Sequence, residues 1–240
     1  MKNVGTLARR ELSVFFLSPI AYVVITVFLI ITGIFFGREI LSPGAEASMR
    51  PLFGSGIVLL VLAVLIPLVT MRLLSEEFRS GTIEKLMTAP ITEVDIVLGK
   101  FVAALAFYGV LLASTLFYVV LIYAFGNPDT GLLFSSYFGL ALLGALYTAV
   151  GLFFSALTRN QVIAGLSSFV LLAILTFLGQ YLAQNTEGWV RVGLQHLSIF
   201  DHLQTFLRGL IELNHFIFFI TTTGVFLFLT VKVLESRRWR

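Results

Sequence analysis

Residues 54–100 read GSGIVLLVLAVLIPLVTMRLLSEEFRSGTIEKLMTAPITEVDIVLGK. The stretch divides in two at Arg72. An apolar run, 54–74, of the roughly 20 residues that cross a bilayer as helix comes first. After it comes a charged segment that is too long and too apolar for a simple turn. Gly81 can break a helix continuing from the run. Ile83, Leu86 and Met87 recur at i, i+3, i+4, which gives a short helix one apolar face. Pro90 stops that helix. Thr92 followed by Asp95 is a capping box ahead of the next apolar run, and Glu93 and Asp95 suit the positive end of its dipole. The pattern predicts a spanning helix, a break, a short surface helix, a stop and a newly capped spanning helix.

The rest of the chain repeats the apolar theme. Of 240 residues, 58% are hydrophobic and 12% charged, against about 45–50% and 25% in soluble domains. Mean hydropathy is +0.98. These values exclude a soluble enzyme, a nucleic-acid-binding domain and a disordered chain. Six apolar runs qualify as spans: 20–36, 54–74, 96–125, 132–157, 162–182 and 216–234. Alternating ten-residue strands are absent, so the fold class is all-α integral membrane, in one domain over 1–240. Arg9, Arg10 and Glu11 interrupt any signal-peptide core, so the N-terminus is expected to be retained.

Twelve of the 16 Lys and Arg residues fall on one side of this topology and four on the other. Lys100 is counted with Arg72, Arg79 and Lys85 as a charge of the loop after span 2. The positive-inside rule then places both termini in the cytoplasm. Residues 3–18 form an amphipathic helix at that interface, with Val4, Leu7, Ala8 and Phe15 on one face and Arg9, Arg10 and Ser13 opposite. Glu11 falls on the apolar side, where it either snorkels or pairs with an arginine, or contacts a partner subunit. Ser18-Pro19 marks the turn into span 1. Pro67 should bend span 2, for packing or near a moving element. Gly139, Gly144 and Gly151 permit close helix approach, either inside the subunit or at a dimer seam. Residues 183–215 form an outer loop with short amphipathic or re-entrant helices, on which Phe200, Leu203, Phe206, Leu207 and Leu210 share a stripe. His196, Asp201 and His202 have poor spacing for a metal, because adjacent residues diverge on a helix.

Chemical motifs fail one by one. A P-loop is missing: position 94 is Val, and Phe101 follows Gly99-Lys100. An EExxxR protease motif at Glu76-Glu77 fails because Gly81 stands where Arg is needed. With no cysteine, thiolate metal sites and disulfides are excluded. The spans carry almost no charge, so ion coupling at the midplane is not expected. A short cytoplasmic helix with mixed charges, Glu76, Glu77, Arg79, Glu84 and Lys85, suits docking to a protein better than to anionic lipid. The energy source is then expected in another chain. The competing reading is a membrane scaffold or channel that needs no ATPase.

RREL and FFLSPIAYV within 9–23, LLSEEFRSGTIEKLMTAPITEVDIVLGKF at 73–101 and LESRRW at 234–239 resemble the membrane subunits of ABC-2-type ABC transporters, and among them the Gld-type, gliding-motility-associated permeases. The resemblance implies six spans, an interfacial connecting helix at 3–18 bearing Arg9, Arg10 and Glu11, and two short outer helices. It implies a coupling helix at 79–90, in which Arg79, Ser80, Gly81, Thr82, Ile83, Glu84, Lys85, Leu86 and Met87 contact a nucleotide-binding ATPase subunit. It further implies two ATPase and two permease copies, the second permease identical or not. ATP and Mg would be bound by the ATPase, with no cofactor in this chain. An accessory membrane protein with a large outer domain and residence in the bacterial inner membrane complete the expectation.

Overall fold

Ser18 and Pro19 separate the first two helices. The Ser18 hydroxyl accepts from the Ile20 amide at 3.4 Å, and Pro19 takes the first helical position, where no backbone donor is needed. The computed structural model describes residues 2–40, 48–82, 91–178, 181 and 198–238. Helix α1 covers Lys2–Leu17 and α2 covers Pro19–Glu39. A single turn, α3 (Arg50–Phe53), leads to α4 (Gly56–Thr70) and α5 (Arg72–Ser80). Then follow α6 (Glu93–Ser114), α7 (Leu116–Phe125), α8 (Thr130–Leu157) and α9 (Gln161–Ala173), the last continuing as a π-helical turn, Ile174–Leu178. Helix α10 (Ile199–Leu207) and α11 (Leu213–Arg238) complete the described chain.

Five stretches are long and apolar enough to cross a membrane: Pro19–Glu39, Gly56–Ser80, Glu93–Phe125, Thr130–Leu157 and Leu213–Arg237. The fifth expected span, 162–182, is represented by the shorter apolar helix Gln161–Phe177; its last residues other than Tyr181 lie outside the described residues. The first part of the outer loop, 183–197 with His196, lies outside them too.

Two expected single spans are interrupted. The run at 96–125 begins earlier, at Glu93, and breaks at Thr115, whose hydroxyl donates to the Leu112 carbonyl at 2.7 Å while Ser114 donates to Leu111 at 2.6 Å. Such back-bonding competes with the helical ladder. The second span breaks at Met71, one turn after Pro67. There Ser155 of α8 fills the gap. Its Oγ accepts from the amides of Leu74 and Ser75 at 3.0 and 3.1 Å and donates to the Met71 carbonyl at 2.9 Å. One hydroxyl thereby uses its donor and both lone pairs.

Helix α8 is the hub and packs against α4, α5, α6, α9, α10 and α11. Its glycines explain how. A Cβ on Gly144 would enter the Tyr108 ring of α6, one on Gly151 would meet Thr70 Oγ1 of α4, and one on Gly139 would meet Phe206 of α10. The small residues therefore serve packing inside the subunit. One end of the bundle gathers the end of α5, the starts of α1 and α6, and the ends of α8 and α11; it carries most of the basic side chains among the described residues and is called the basic end. At the opposite end Phe53 meets Tyr137 edge-on at 5.3 Å, and Ser135 donates to the Phe206 carbonyl at 2.8 Å.

Apolar side chains also cover the outside. Val23, Ile30 and Ile34 of α2, Phe117 and Val120 of α7, and Val162 and Leu166 of α9 are exposed. Contiguous apolar surface on this scale marks contact with lipid or another membrane subunit.

Candidate functional site

The basic end holds a buried cluster of charges, and α1 builds its first wall. Leu7, Glu11 and Phe15 lie four residues apart and so share a face. Leu7 packs over Gly99, where a Cβ would stand 2.7 Å from Leu7 Cδ2. Phe15 and Phe16 close on Phe107 at ring distances of 5.7 and 5.8 Å. Glu11 is thereby held against α6 at the height of Lys100.

Lys100 is the centre of the cluster. Its side chain is 1% exposed. Its Nζ donates to Glu77 Oε1 of α5 at 2.7 Å and lies 3.4 Å from Glu11 Oε1 of α1. Glu11 also receives Arg10 at 2.8 Å. One ammonium thus joins three helices. A buried lysine tolerates its charge only with such partners, because the loss of water is otherwise too costly. The reading of Lys100 as a loop charge is therefore corrected: it is an internal residue of α6. The charge-poor account of the spans is corrected with it, since Lys100 lies inside the apolar stretch Glu93–Phe125. Sequence periodicity could not reveal this, as the partner Glu77 is 23 positions away. A usable signal was Glu11, whose place on the apolar stripe demanded a partner.

Two buried polar atoms beside the cluster lack hydrogen-bond partners among the described residues: Arg72 Nε and Glu77 Oε2. Native interiors leave few such atoms unsatisfied.

The segment expected to dock is framed rather than described. Arg79 and Ser80 form the last turn of α5, and Gly81 ends it with φ 72°, a left-handed conformation that glycine adopts without strain. Ser80 Oγ and Thr82 Oγ1 are 2.9 Å apart. Ile83, Glu84, Lys85, Leu86 and Met87 lie outside the described residues. At the far side the Thr92–Asp95 capping box is present. The Thr92 hydroxyl accepts from the Asp95 amide at 3.2 Å, and Asp95 Oδ2 accepts from the Thr92 amide at 3.2 Å. Arg9 and Arg10 face outward, as read from the sequence. Behind α5, Arg237 of α11 lies over the Phe78 ring at 4.4 Å and donates to the Leu157 carbonyl at 2.6 Å.

At the opposite end two histidines meet, His202 of α10 and His215 of α11. His202 turns inward, stacks on Phe218 at 3.8 Å, and its Nδ1 lies 2.6 Å from Nδ1 of His215. No group of three potential metal ligands gathers among the described residues.

A family profile described as "ABC-2 family transporter protein" matches residues 13–238. No curated protein matches the chain.

Proposed function

The chain belongs to the ABC-2 transporter family, and from that premise we propose that it is a permease whose residues 79–90 receive the stroke of a separate ATPase. Family membership makes it a multi-pass membrane component of an ABC transporter and implies an ABC ATPase as its partner. The finer reading is that two ATPase subunits close on ATP and displace the 79–90 segment of each of two permeases. Arg79, Glu84 and Lys85 orient the docking, and Ile83, Leu86 and Met87 supply the apolar anchor. The two permeases, identical or not, open a path or transmit force at their interface. A Gld-type assembly in the bacterial inner membrane, with both termini cytoplasmic and an accessory protein outside, is the setting proposed for it.

One observation supports this reading above the others: the proposed docking segment is fastened on both sides to the same charge. Before it, α5 carries Glu77; after it, α6 carries Lys100; the two are 2.7 Å apart. Glu11 draws α1 into the same contact. A displacement of the segment therefore moves α1, α5 and α6 as one body rather than dissipating in a loop. Tightly packed elements transmit such shifts because they are not continuously deformable.

The test is co-purification with an ABC ATPase subunit from the same organism, with ATP hydrolysis measured with and without Leu86→Asp. The expected result is a stable complex that the substitution dissociates or uncouples. A chain that purifies alone as a stable oligomer and leaves the ATPase unaffected would overturn the proposal in favour of a scaffold or channel.

A further inference from the structure

A cavity of about 250 Å³ opens beside the charge cluster, between α1, α2, α4, α5 and α6. We propose that it holds the headgroup of an aminophospholipid from the surrounding leaflet: a primary ammonium joined to a phosphate, on the scaffold of phosphatidylethanolamine.

The polar end of the cavity states what it wants. Glu11, Arg72, Glu76, Glu77 and Lys100 all line it. The Lys100 ammonium is already engaged by Glu77 Oε1 and Glu11. What is left over is one buried donor, Arg72 Nε, and one buried acceptor, Glu77 Oε2, neither partnered among the described residues. A simple anion would satisfy Arg72 and be repelled by three carboxylates. A simple cation would satisfy Glu77 and leave Arg72 unpaired. A group carrying an acceptor anion and a hydrogen-bonding cation on one short linker satisfies both. Arginine is well suited to the phosphate. The free carboxylate oxygen needs an N–H, which a primary ammonium has and a choline lacks.

The remainder of the cavity sets the ligand's other half. Its wall is apolar, built by Phe15, Val69 and Phe107, and Val14 and Leu68 at its margin are 56% and 39% exposed. Leu17 beside them is 84% exposed. Such apolar surface flanking the opening belongs against hydrocarbon. At about 250 Å³ the space is smaller than the roughly 300–1,000 Å³ of sites that enclose a whole drug-sized molecule. It suits a headgroup whose acyl chains leave through the apolar margin into the bilayer. A soluble phosphoethanolamine compound shares the polar chemistry but has no use for that margin. The inference needs only the membrane placement, so it stands or falls separately from the ATPase reading.

The experiment is native mass spectrometry of the purified full chain in detergent, titrated with dioleoylphosphatidylethanolamine, dioleoylphosphatidylcholine or soluble glycerophosphoethanolamine. The ethanolamine lipid should bind about tenfold tighter than the choline lipid, the worth of one charge-assisted hydrogen bond. Arg72→Gln should weaken it by a similar factor, while Arg159→Gln, an exposed arginine that does not line the cavity, should not. Val14→Trp leaves every charge in place and narrows the opening, and it should also weaken binding, so the proposal stays testable if Arg72→Gln fails to fold. Equal binding of the two lipids, or undiminished binding in Val14→Trp, would overturn it. Soluble glycerophosphoethanolamine binding as tightly as the lipid would overturn the assignment to the bilayer.

Discussion

Lys100 and Glu77 meet at 2.7 Å across the base of the bundle, the lysine side chain 1% exposed and the glutamate 16% exposed. Helices α5 and α6, which flank the proposed docking segment, are thereby joined by a charge pair largely removed from solvent. Removing one partner strands the other, which is why such pairs are costly to break and cheap to replace whole.

Lys100→Met should therefore destabilise the protein by about 3–5 kcal/mol. Lys100→Met combined with Glu77→Leu should recover most of that loss. Thermal unfolding in detergent measures both. A single variant as stable as the parent would show that the pair does not hold the base together.

Ser155 should behave as a structural hydroxyl. Ser155→Ala removes the acceptor for the Leu74 and Ser75 amides and the donor to Met71, at a cost of about 1–3 kcal/mol. Hydrogen exchange should speed up at Leu74 and Ser75 in particular. Unchanged protection there would mean the break at Met71 is satisfied in another way.

Glycines of the bundle should divide by their surroundings. Gly144→Ala drives a methyl group into the Tyr108 ring and should cost about 1–3 kcal/mol. Gly109→Ala, where nothing lies within 4 Å of the new Cβ, should stabilise helix α6 by about 0.5–1 kcal/mol. Equal effects at the two sites would contradict the close approach of α6 and α8.

The capping box should fix the start of α6. Thr92→Ala loses the acceptor for the Asp95 amide and should cost about 1 kcal/mol. The expected signature is local: faster exchange at residues 93–96 with little change at the opposite end of the helix. A uniform loss of protection would point to global destabilisation instead.

Much of this molecule was legible along the chain, because bilayer thickness and helical period are local constraints. The membrane class followed from composition. The Ser18-Pro19 junction, the break at Gly81 and the Thr92–Asp95 cap depend on residues within a few positions of one another, and the described helices carry each of them; five of the six apolar runs lie in helices long enough to cross a membrane. The small residues of α8 announced close packing but not its partners, since Tyr108, Thr70 and Phe206 are brought to Gly144, Gly151 and Gly139 from three different helices. Ser155 gave no sign of filling a break at Met71, 84 positions earlier.

Lys100 marks the boundary most clearly. In sequence it looked like one more basic residue of a loop, because a charge beside an apolar run is ordinarily solvated. Only the tertiary structure placed Glu77 and Glu11 around it and closed water out. The sequence by itself determined where helices start, stop and turn their apolar faces, as these follow from short-range sterics and hydropathy. The tertiary structure alone decided which charges are buried and with whom, because desolvation depends on what packs around a group and not on its neighbours in the chain.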